Sequence, residues 1–237
     1  MSGKTGIIIQ ARMSSSRLPG KSLMKIGGHP LIWYVVRRAE LLDLPVVVCT
    51  STDPTDDPLC NFLEQEEIDF FRGDLHNVLE RYINTAEKFG FENIIRVTGD
   101  NPLFDYEFLQ GNLDLFDRYS YVDGIYENGL IKGAGFEFVK LEELKKIQCP
   151  DKEQAEHVTL SLRQSHHENS LFTRLQPRLH DKFRDKIVLT CDYPQDLMLL
   201  KEIFSFFHYR TNIRMQEVIR FFCKDPESFK KNTEFLQ

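Results

Sequence analysis

The sequence predicts an α/β fold with a mostly parallel central sheet sandwiched by helices, and three observations carry that expectation. Short continuous apolar runs recur at residues 7–9, 46–50, 68–71 and 94–98. Amphipathic helical patterns separate them. Polar turns follow the runs at 51–54 and 99–102, as at the carboxyl edge of a sheet. Strands buried on both faces read as unbroken apolar runs, and helices between them specify right-handed parallel crossovers.

The first run is three β-branched residues, and it leads into a loop carrying Arg12, Ser14, Ser15, Ser16, Arg17, Gly20 and Lys21. Small hydroxyl residues and Gly20 let backbone N–H groups turn inward as a nest, while the three cations supply the charge that phosphate oxygens require. An anion is expected there; the plainer alternative is a solvated basic loop. Neither GxxxxGK[ST] nor GxGxxG is present. Gly27-Gly28 then turns the chain toward Pro30, which suits a first helical position. Leu31, Tyr34, Val35, Ala39 and Leu42 mark the buried face of a helix ending near Pro45. The strand at 46–50 exits through Ser51-Thr52-Asp53-Pro54, where Ser51 either touches a ligand or caps the turn.

A helix through Leu59, Phe62 and Leu63, the strand at 68–71, and a helix burying Leu75, Val78, Leu79, Tyr82, Ile83 and Ala86 continue the rhythm. The strand at 94–98 empties into Gly99-Asp100-Asn101-Pro102. Asp100 either caps this turn or faces the basic loop across the rim of the sheet through a hard divalent cation such as Mg²⁺. From 119 the pattern changes to a strand at 119–126, a glycine-rich stretch and a strand at 136–139. Alternation there gives Glu137 a polar face, toward a substrate hydroxyl or toward solvent.

Helices are expected at 141–147 and 153–163, the second carrying Glu156, His157 and Thr159. His157 reads as a hydrogen-bonding group within the fold or an interface, or as a substrate contact. His166 and His167 are adjacent, diverge on a helix, and make no metal pair. Strands are expected at 170–175 and 187–190, the latter running into Asp192, a second strand-terminal aspartate. A helix through Leu197, Leu200, Ile203 and Phe204 follows, and 209–237 reads as a helix with a solvated charged tail.

Composition bounds the function. The 237 residues suffice for one large domain, and 41% hydrophobic with 12% aromatic residues fits a soluble globular chain. A net charge of −6 argues against a general nucleic-acid binder. Yet Lys4, Arg12, Arg17, Lys21 and Lys25 fall in the first 25 residues with no acid among them. Five widely spaced cysteines, Cys49, Cys60, Cys149, Cys191 and Cys223, read as thiols of a reducing compartment. No signal core or run approaching the roughly 20 apolar residues of a membrane helix is present. A cytoplasmic protein is expected.

Three segments match one family's signatures in order: QARMSSSRLPGK at 10–21, TGDNPLFD at 98–105 and LTCDYPQDL at 189–197. On these residues the chain resembles the cytidylyltransferases that activate acidic sugars, from about residue 6 to 207. The resemblance is greatest to the branch of spore coat polysaccharide biosynthesis proteins, related to the synthetases of CMP-sialic acid and CMP-Kdo. It implies a Rossmann-like nucleotidyltransferase fold in a single domain over 1–237, with an acceptor and dimerisation subregion at about 119–180 and a charged tail at 224–237. It also implies that Ala11, Arg12, Ser14, Ser15, Arg17 and Lys21 bind the nucleotide, with Ser51 and Asp100 adding contacts. Arg12 and Lys21 would stabilise charge on the transferred and leaving phosphates, and Asp100 and Asp192 would hold Mg²⁺. Glu137, Glu156 and His157 would face the acceptor sugar, and EHVT at 156–159 is a branch signature.

The expected reaction joins CTP and an acidic sugar into a CMP-sugar with release of pyrophosphate, in a homodimer with no nucleic-acid or membrane partner. One departure stands out. Where the branch has a Gly-Leu-Asp-Val-Glu run, this chain has Gly133-Ala134-Gly135-Phe136-Glu137, so Gly135 replaces an aspartate and acceptor specificity does not carry over. Two rival readings remain: a nucleotidyltransferase using another triphosphate or a sugar phosphate, and a catalytically silent sugar-nucleotide binder.

Overall fold

Ile7, Ile8 and Ile9 are fully buried in the first strand, β1 (Thr5–Gln10), which lies in the middle of the sheet. Successive side chains alternate faces: Ile7 and Ile9 join one hydrophobic cluster, Ile8 another. Each such side chain contributes about 1.5–3 kcal/mol by leaving water. The computed structural model describes residues 3–125, 129–147, 152–165, 169–175 and 179–224.

The small hairpin β2 (Lys25–Ile26) and β3 (His29–Pro30) turns at Gly27-Gly28 and delivers helix α1 (Leu31–Ala39). Pro30 is the residue before that helix rather than its first residue, with ψ 156 in the extended region. Strand β4 (Val46–Ser51), helix α2 (Asp57–Gln65), strand β5 (Phe70–Gly73), helix α3 (Val78–Phe89) and strand β6 (Asn93–Thr98) follow. The third strand lies later than the apolar run suggested, because Ile68 closes the end of α2 through its N–H to the Leu63 carbonyl at 2.9 Å. Helix α4 (Tyr106–Gln110), strands β7 (Tyr121–Gly124) and β8 (Phe136–Lys140), helices α5 (Leu141–Lys146), α6 (Lys152–His157) and α7 (Leu160–Ser165), and strand β9 (Phe172–Arg174) come next. Helices α8 (Pro194–Phe206) and α9 (Met215–Lys224) complete the described elements.

The sheet order is β5-β4-β1-β6-β8-β7-β9. Every neighbouring pair is parallel except the two that involve β8. Helices α1, α2 and α4 cover one face, and α3, α5 and α7 the other. A third cluster packs α8 and α9 around Leu31 and Tyr34 of α1. The expected α/β architecture is therefore present.

Two expectations are corrected. Residues 187–190 form no strand of the sheet: only Val188 bridges, to Lys132, and Leu189 N–H bonds the Lys132 carbonyl at 2.7 Å. Antiparallel β8 holds the place beside β6, so this segment runs past the rim instead and reaches Asp100, whose carbonyl accepts from Cys191 N–H at 2.9 Å. The helix expected at 153–163 is broken at Val158, where φ is 51°. The break turns Thr159 inward, and its hydroxyl donates to Glu137 at 2.7 Å. Tyr126, Cys149, His166, His167 and the tail beyond residue 224 lie outside the described residues. Cys49, Cys60 and Cys191 are buried and free, and Cys223 is exposed. Among the described residues no helix is long and apolar enough to cross a membrane.

Arg38 staples these layers. Its guanidinium is wholly buried and donates to the carbonyls of Phe104 at 2.6 Å, Thr211 at 2.7 Å and Ile213 at 2.7 Å. Burial lowers its pKa to about 10, which leaves it charged at neutral pH. Stranding buried carbonyls costs about 1–3 kcal/mol each. Arg38→Leu should accordingly lower the urea-unfolding free energy by about 3 kcal/mol or more; an unchanged midpoint would show that the carbonyls find other donors.

Candidate active site

The site forms where β1, β4 and β6 end side by side. Gln10 is in register with Thr98, and the next residue, Gly99, donates its N–H to the Gln10 carbonyl at 2.8 Å. A Cβ on Gly99 would meet that same oxygen at 2.8 Å and the Ala11 Cβ at 2.9 Å. Glycine thus lets the Asp100 turn press against the basic loop.

The loop is pinned from below by Asp56. This wholly buried carboxylate accepts from Met13 N–H at 2.6 Å, Thr50 Oγ1 at 2.9 Å, Ser51 N–H at 3.0 Å and Ser51 Oγ at 2.5 Å. It ties the loop to the end of β4. Gly20 N–H closes the loop on the Met13 carbonyl at 2.9 Å, and Ser22 Oγ donates to the Arg12 carbonyl at 3.1 Å. The amides of Met13, Leu18, Gly20 and Lys21 are all engaged within the protein, so the expected nest is only partial.

A cavity of about 260 Å³ opens over the loop, lined by Ala11, Arg12, Ser15, Arg17, Lys21, Asp100, Glu156 and His157 among others. Its cations are already matched with acids. Lys21 Nζ lies 2.7 Å from Asp100 Oδ2 and 3.1 Å from Asp192 Oδ1. Arg17 reaches Asp192 at 2.9 Å and Arg12 reaches Glu156 at 2.8 Å. Burial would lower the Lys21 pKa, but Asp100 and Asp192 outweigh it and the net shift is upward. Burial would raise that of Asp100, and Lys21 and a hydrogen bond from Thr98 overturn it, holding the carboxyl below its ordinary value.

A second cavity, of about 360 Å³, adjoins the first through Arg17, Arg96, Thr98, Asp100 and His157. It is lined further by Lys132, Gly135, Glu137, Arg163 and Asp192. Glu137 is buried, not solvated, and both its oxygens are occupied. Arg96 donates to Oε2 at 2.6 Å, Tyr121 and Thr159 donate to Oε1 at 2.6 and 2.7 Å, and Arg163 Nε lies 3.9 Å from Oε1. One acid thus serves two guanidiniums. Lys132 has no acidic partner among the described residues. Arg17, Arg96, Lys132 and Arg163 outnumber Asp100, Glu137 and Asp192 in this lining, as Arg12, Arg17, Lys21 and Arg96 outnumber Asp100 and Glu156 in that of the loop cavity, so both cavities are net cationic.

The structure therefore gathers Ala11, Arg12, Ser15, Arg17, Lys21, Asp100, Glu156 and His157 round one cavity, with Glu137 and Asp192 on its neighbour. Ser14 is exposed and lines neither cavity; Ser51 is buried with its hydroxyl on Asp56 and also lines neither. Glu156 sits on the loop side beside Arg12 and lines the first cavity but not the second. Asp56, Arg96, Lys132 and Arg163 were missed. A lone arginine inside the apolar strand at 94–98 was a readable signal, since a buried charge needs a partner. Lys132 and Arg163 look like ordinary surface residues. At Gly135 a Cβ would lie 2.7 Å from the Gly124 carbonyl, so this backbone has no room for the aspartate that the resembling branch carries there.

Two carboxylates, a loop of cations and a cavity on the carboxyl rim of a mostly parallel sheet define a nucleotidyltransferase. The Cytidylyltransferase family's sequence model matches residues 6–237, and the chain belongs to that family. It is 30% identical over 232 residues to the spore coat polysaccharide biosynthesis protein SpsF of Bacillus subtilis, covering 93% of this chain and 95% of that protein. A solved cytidylyltransferase from Leptospira borgpetersenii superposes with a TM-score of 0.88 at 27% identity, covering 96% of this chain and 97% of the other. A CMP-2-keto-3-deoxy-manno-octonic acid synthetase solved with CTP shares the fold, at TM-score 0.64 and 17% identity over 86% of this chain and 99% of that one.

The Glu137 network has a pH signature. Burial would raise this carboxyl's pKa, but Arg96, Arg163 and the two hydroxyls together hold it below its ordinary 4.5. The stability it contributes is complete above that ordinary value, which the unfolded chain keeps, and is lost as pH falls through the lower folded value. Glu137→Gln should be less stable than wild type at pH 7, by about 3 kcal/mol because it leaves buried guanidinium charge unpaired. In a urea series that gap should narrow as the pH drops below about 4; a gap constant with pH would place the effect elsewhere.

Proposed function

We propose that the chain transfers the cytidylyl group of CTP to a hydroxyl of an acidic sugar, releasing pyrophosphate and forming a CMP-sugar for a surface polysaccharide. The observation that carries this reading is that two adjoining cavities, which share Arg96, Asp100 and His157, are each lined by more cations than acids. The loop cavity offers Arg12, Arg17 and Lys21 to a triphosphate, and the second offers Arg163 and Lys132, the latter without an acidic partner among the described residues, to an acceptor carboxylate. Family membership, the polysaccharide role in the name of the Bacillus subtilis relative, and the CTP bound by a synthetase of the same fold support it.

In this reading the triphosphate lies against Arg12, Ser15, Arg17 and Lys21, and the acceptor enters the second cavity with its carboxylate toward Lys132 and Arg163. Its hydroxyl then meets the α-phosphorus where the cavities join, beside Arg96, Asp100 and His157. Glu137 works indirectly, holding Arg96 and Arg163 in place. Displacement at phosphorus gains mainly from alignment and from charge neutralisation, which ammonium and guanidinium groups supply without a covalent intermediate. Burial pushes the Cys191 thiol up to about 12, so it is no nucleophile.

Asp100 and Asp192 would hold Mg²⁺. The residues fit it: the Lys21 ammonium stands where a cation would, 2.7 and 3.1 Å from the two carboxylates and 2.8 Å from the Cys191 carbonyl, all hard oxygen donors. When bound, the ion would neutralise phosphate oxygens. The proposal includes a homodimer joined through the 119–180 region.

Pyrophosphate release, measured with Mg²⁺ across the four ribonucleoside triphosphates and a panel of acidic sugars, tests the reading. CTP should be preferred. Preference for another triphosphate or a sugar phosphate overturns it, and CTP binding without turnover on any acid marks a silent binder. Arg12→Ala and Lys21→Ala should each lose about 100- to 1000-fold in kcat. Lys132→Ala should raise KM for the acceptor while leaving KM for CTP unchanged; equal rises in both would remove it from the acceptor cavity.

A further inference from the structure

Lys21 is bonded in an unusual way for a phosphate-binding residue. An ammonium has three N–H donors, and here all three find oxygens of the acidic turns: Asp100 Oδ2 at 2.7 Å, the Cys191 carbonyl at 2.8 Å and Asp192 Oδ1 at 3.1 Å. Asp192 Oδ1 also accepts from Arg17 at 2.9 Å. Two carboxylates therefore face two cations, and these four charges cancel.

The acids are held independently of Lys21. The Asp192 and Tyr193 amides donate to Asp196 Oδ2 at 2.9 and 2.8 Å, which anchors that turn to the start of α8. Cys191 N–H bonds the Asp100 carbonyl at 2.9 Å, which locks the two turns together. Lys21 instead arrives on a flexible four-carbon stem, so its ammonium is the movable partner. It also lines the loop cavity, where a polyphosphate can reach it.

Resting on the nucleotidyl-transfer reading above, we infer that Lys21 is a built-in counter-cation that holds Asp100 and Asp192 closed to metal until nucleotide and metal arrive together. A divalent ion entering alone meets an ammonium already on both carboxylates. A triphosphate entering alone can recruit Lys21 only by stripping Asp100 of its counter-charge and leaving Asp192 with Arg17 alone. When both are present, phosphate oxygens take Lys21 and Arg17 while the ion takes the carboxylates, and each charge keeps a partner. Metal and nucleotide should therefore bind with strong positive coupling, each excluded by the same contact.

The test is Mn²⁺ binding to the full chain, followed by electron paramagnetic resonance with no acceptor present. It is run with and without a CTP analogue whose α–β bridge is a methylene group. In wild type the analogue should tighten Mn²⁺ binding by about 5- to 150-fold, the usual range of site–site coupling. Lys21→Met should bind Mn²⁺ without nucleotide more tightly than wild type, by a factor in that range, and lose most of the coupling. Tight nucleotide-free binding in wild type, no response to the analogue, or a Lys21→Met protein with unchanged nucleotide-free affinity each overturns the inference. The wild-type comparison stands even where the variant fails to fold. Retained CTP-specific pyrophosphate release in any of those outcomes would leave the transfer reading intact.

Discussion

The parallel pairing of β1 with β4 and β6 is the constraint on which the site depends. Because Gln10 lies opposite Thr98, β1 and β6 finish level, while β4 continues past Cys49 to Ser51, and the turns after all three open onto one rim. The basic loop, the Asp56 clamp and the Asp100 turn are all consequences of that register. A slip of one residue would exchange the two faces of β1 and bury the wrong side of the sheet. The apolar packing of Ile7, Ile8 and Ile9 against separate layers therefore protects the geometry of the site.

A second layer of control is electrostatic. Arg96, Glu137, Asp123 and Arg174 lie in register across β6, β8, β7 and β9, so two acids sit side by side between two arginines over a buried part of the sheet. Such a row is costly unless each member is satisfied, and Tyr121 and Thr159 complete Glu137. The break in the helix at Val158 is what allows Thr159 to reach it. The local irregularity and the buried network thus explain one another. Together they fix the cationic wall of the second cavity from behind, leaving its front free for a ligand.

Much of this was legible along the chain. The apolar runs located β1, β4 and β6 because a strand buried on both faces needs every side chain apolar. The loop at 11–21 announced an anion site through its cations, and Asp100 announced itself by following a strand. The 187–190 run was misread because apolar residues beside a sheet rim look the same as those within it; only the place already taken by β8 excludes them. At Ser51 a strand-end hydroxyl suits a ligand and a turn equally, and only the packing shows it accepting from Asp53 N–H and donating to the buried Asp56 carboxylate.

What the sequence determined by itself was the order of elements, the buried faces and the chemistry of the loop, since these arise from neighbours in the chain and from side-chain periodicity. Tertiary structure alone decided which charges meet. Lys21 and Asp192 are 171 residues apart, and Arg96 and Glu137 are 41 apart. No local pattern encodes either pairing. Each exists because backbone packing brings distant turns or strands within about 3 Å, where an unpaired buried charge would be too costly to keep.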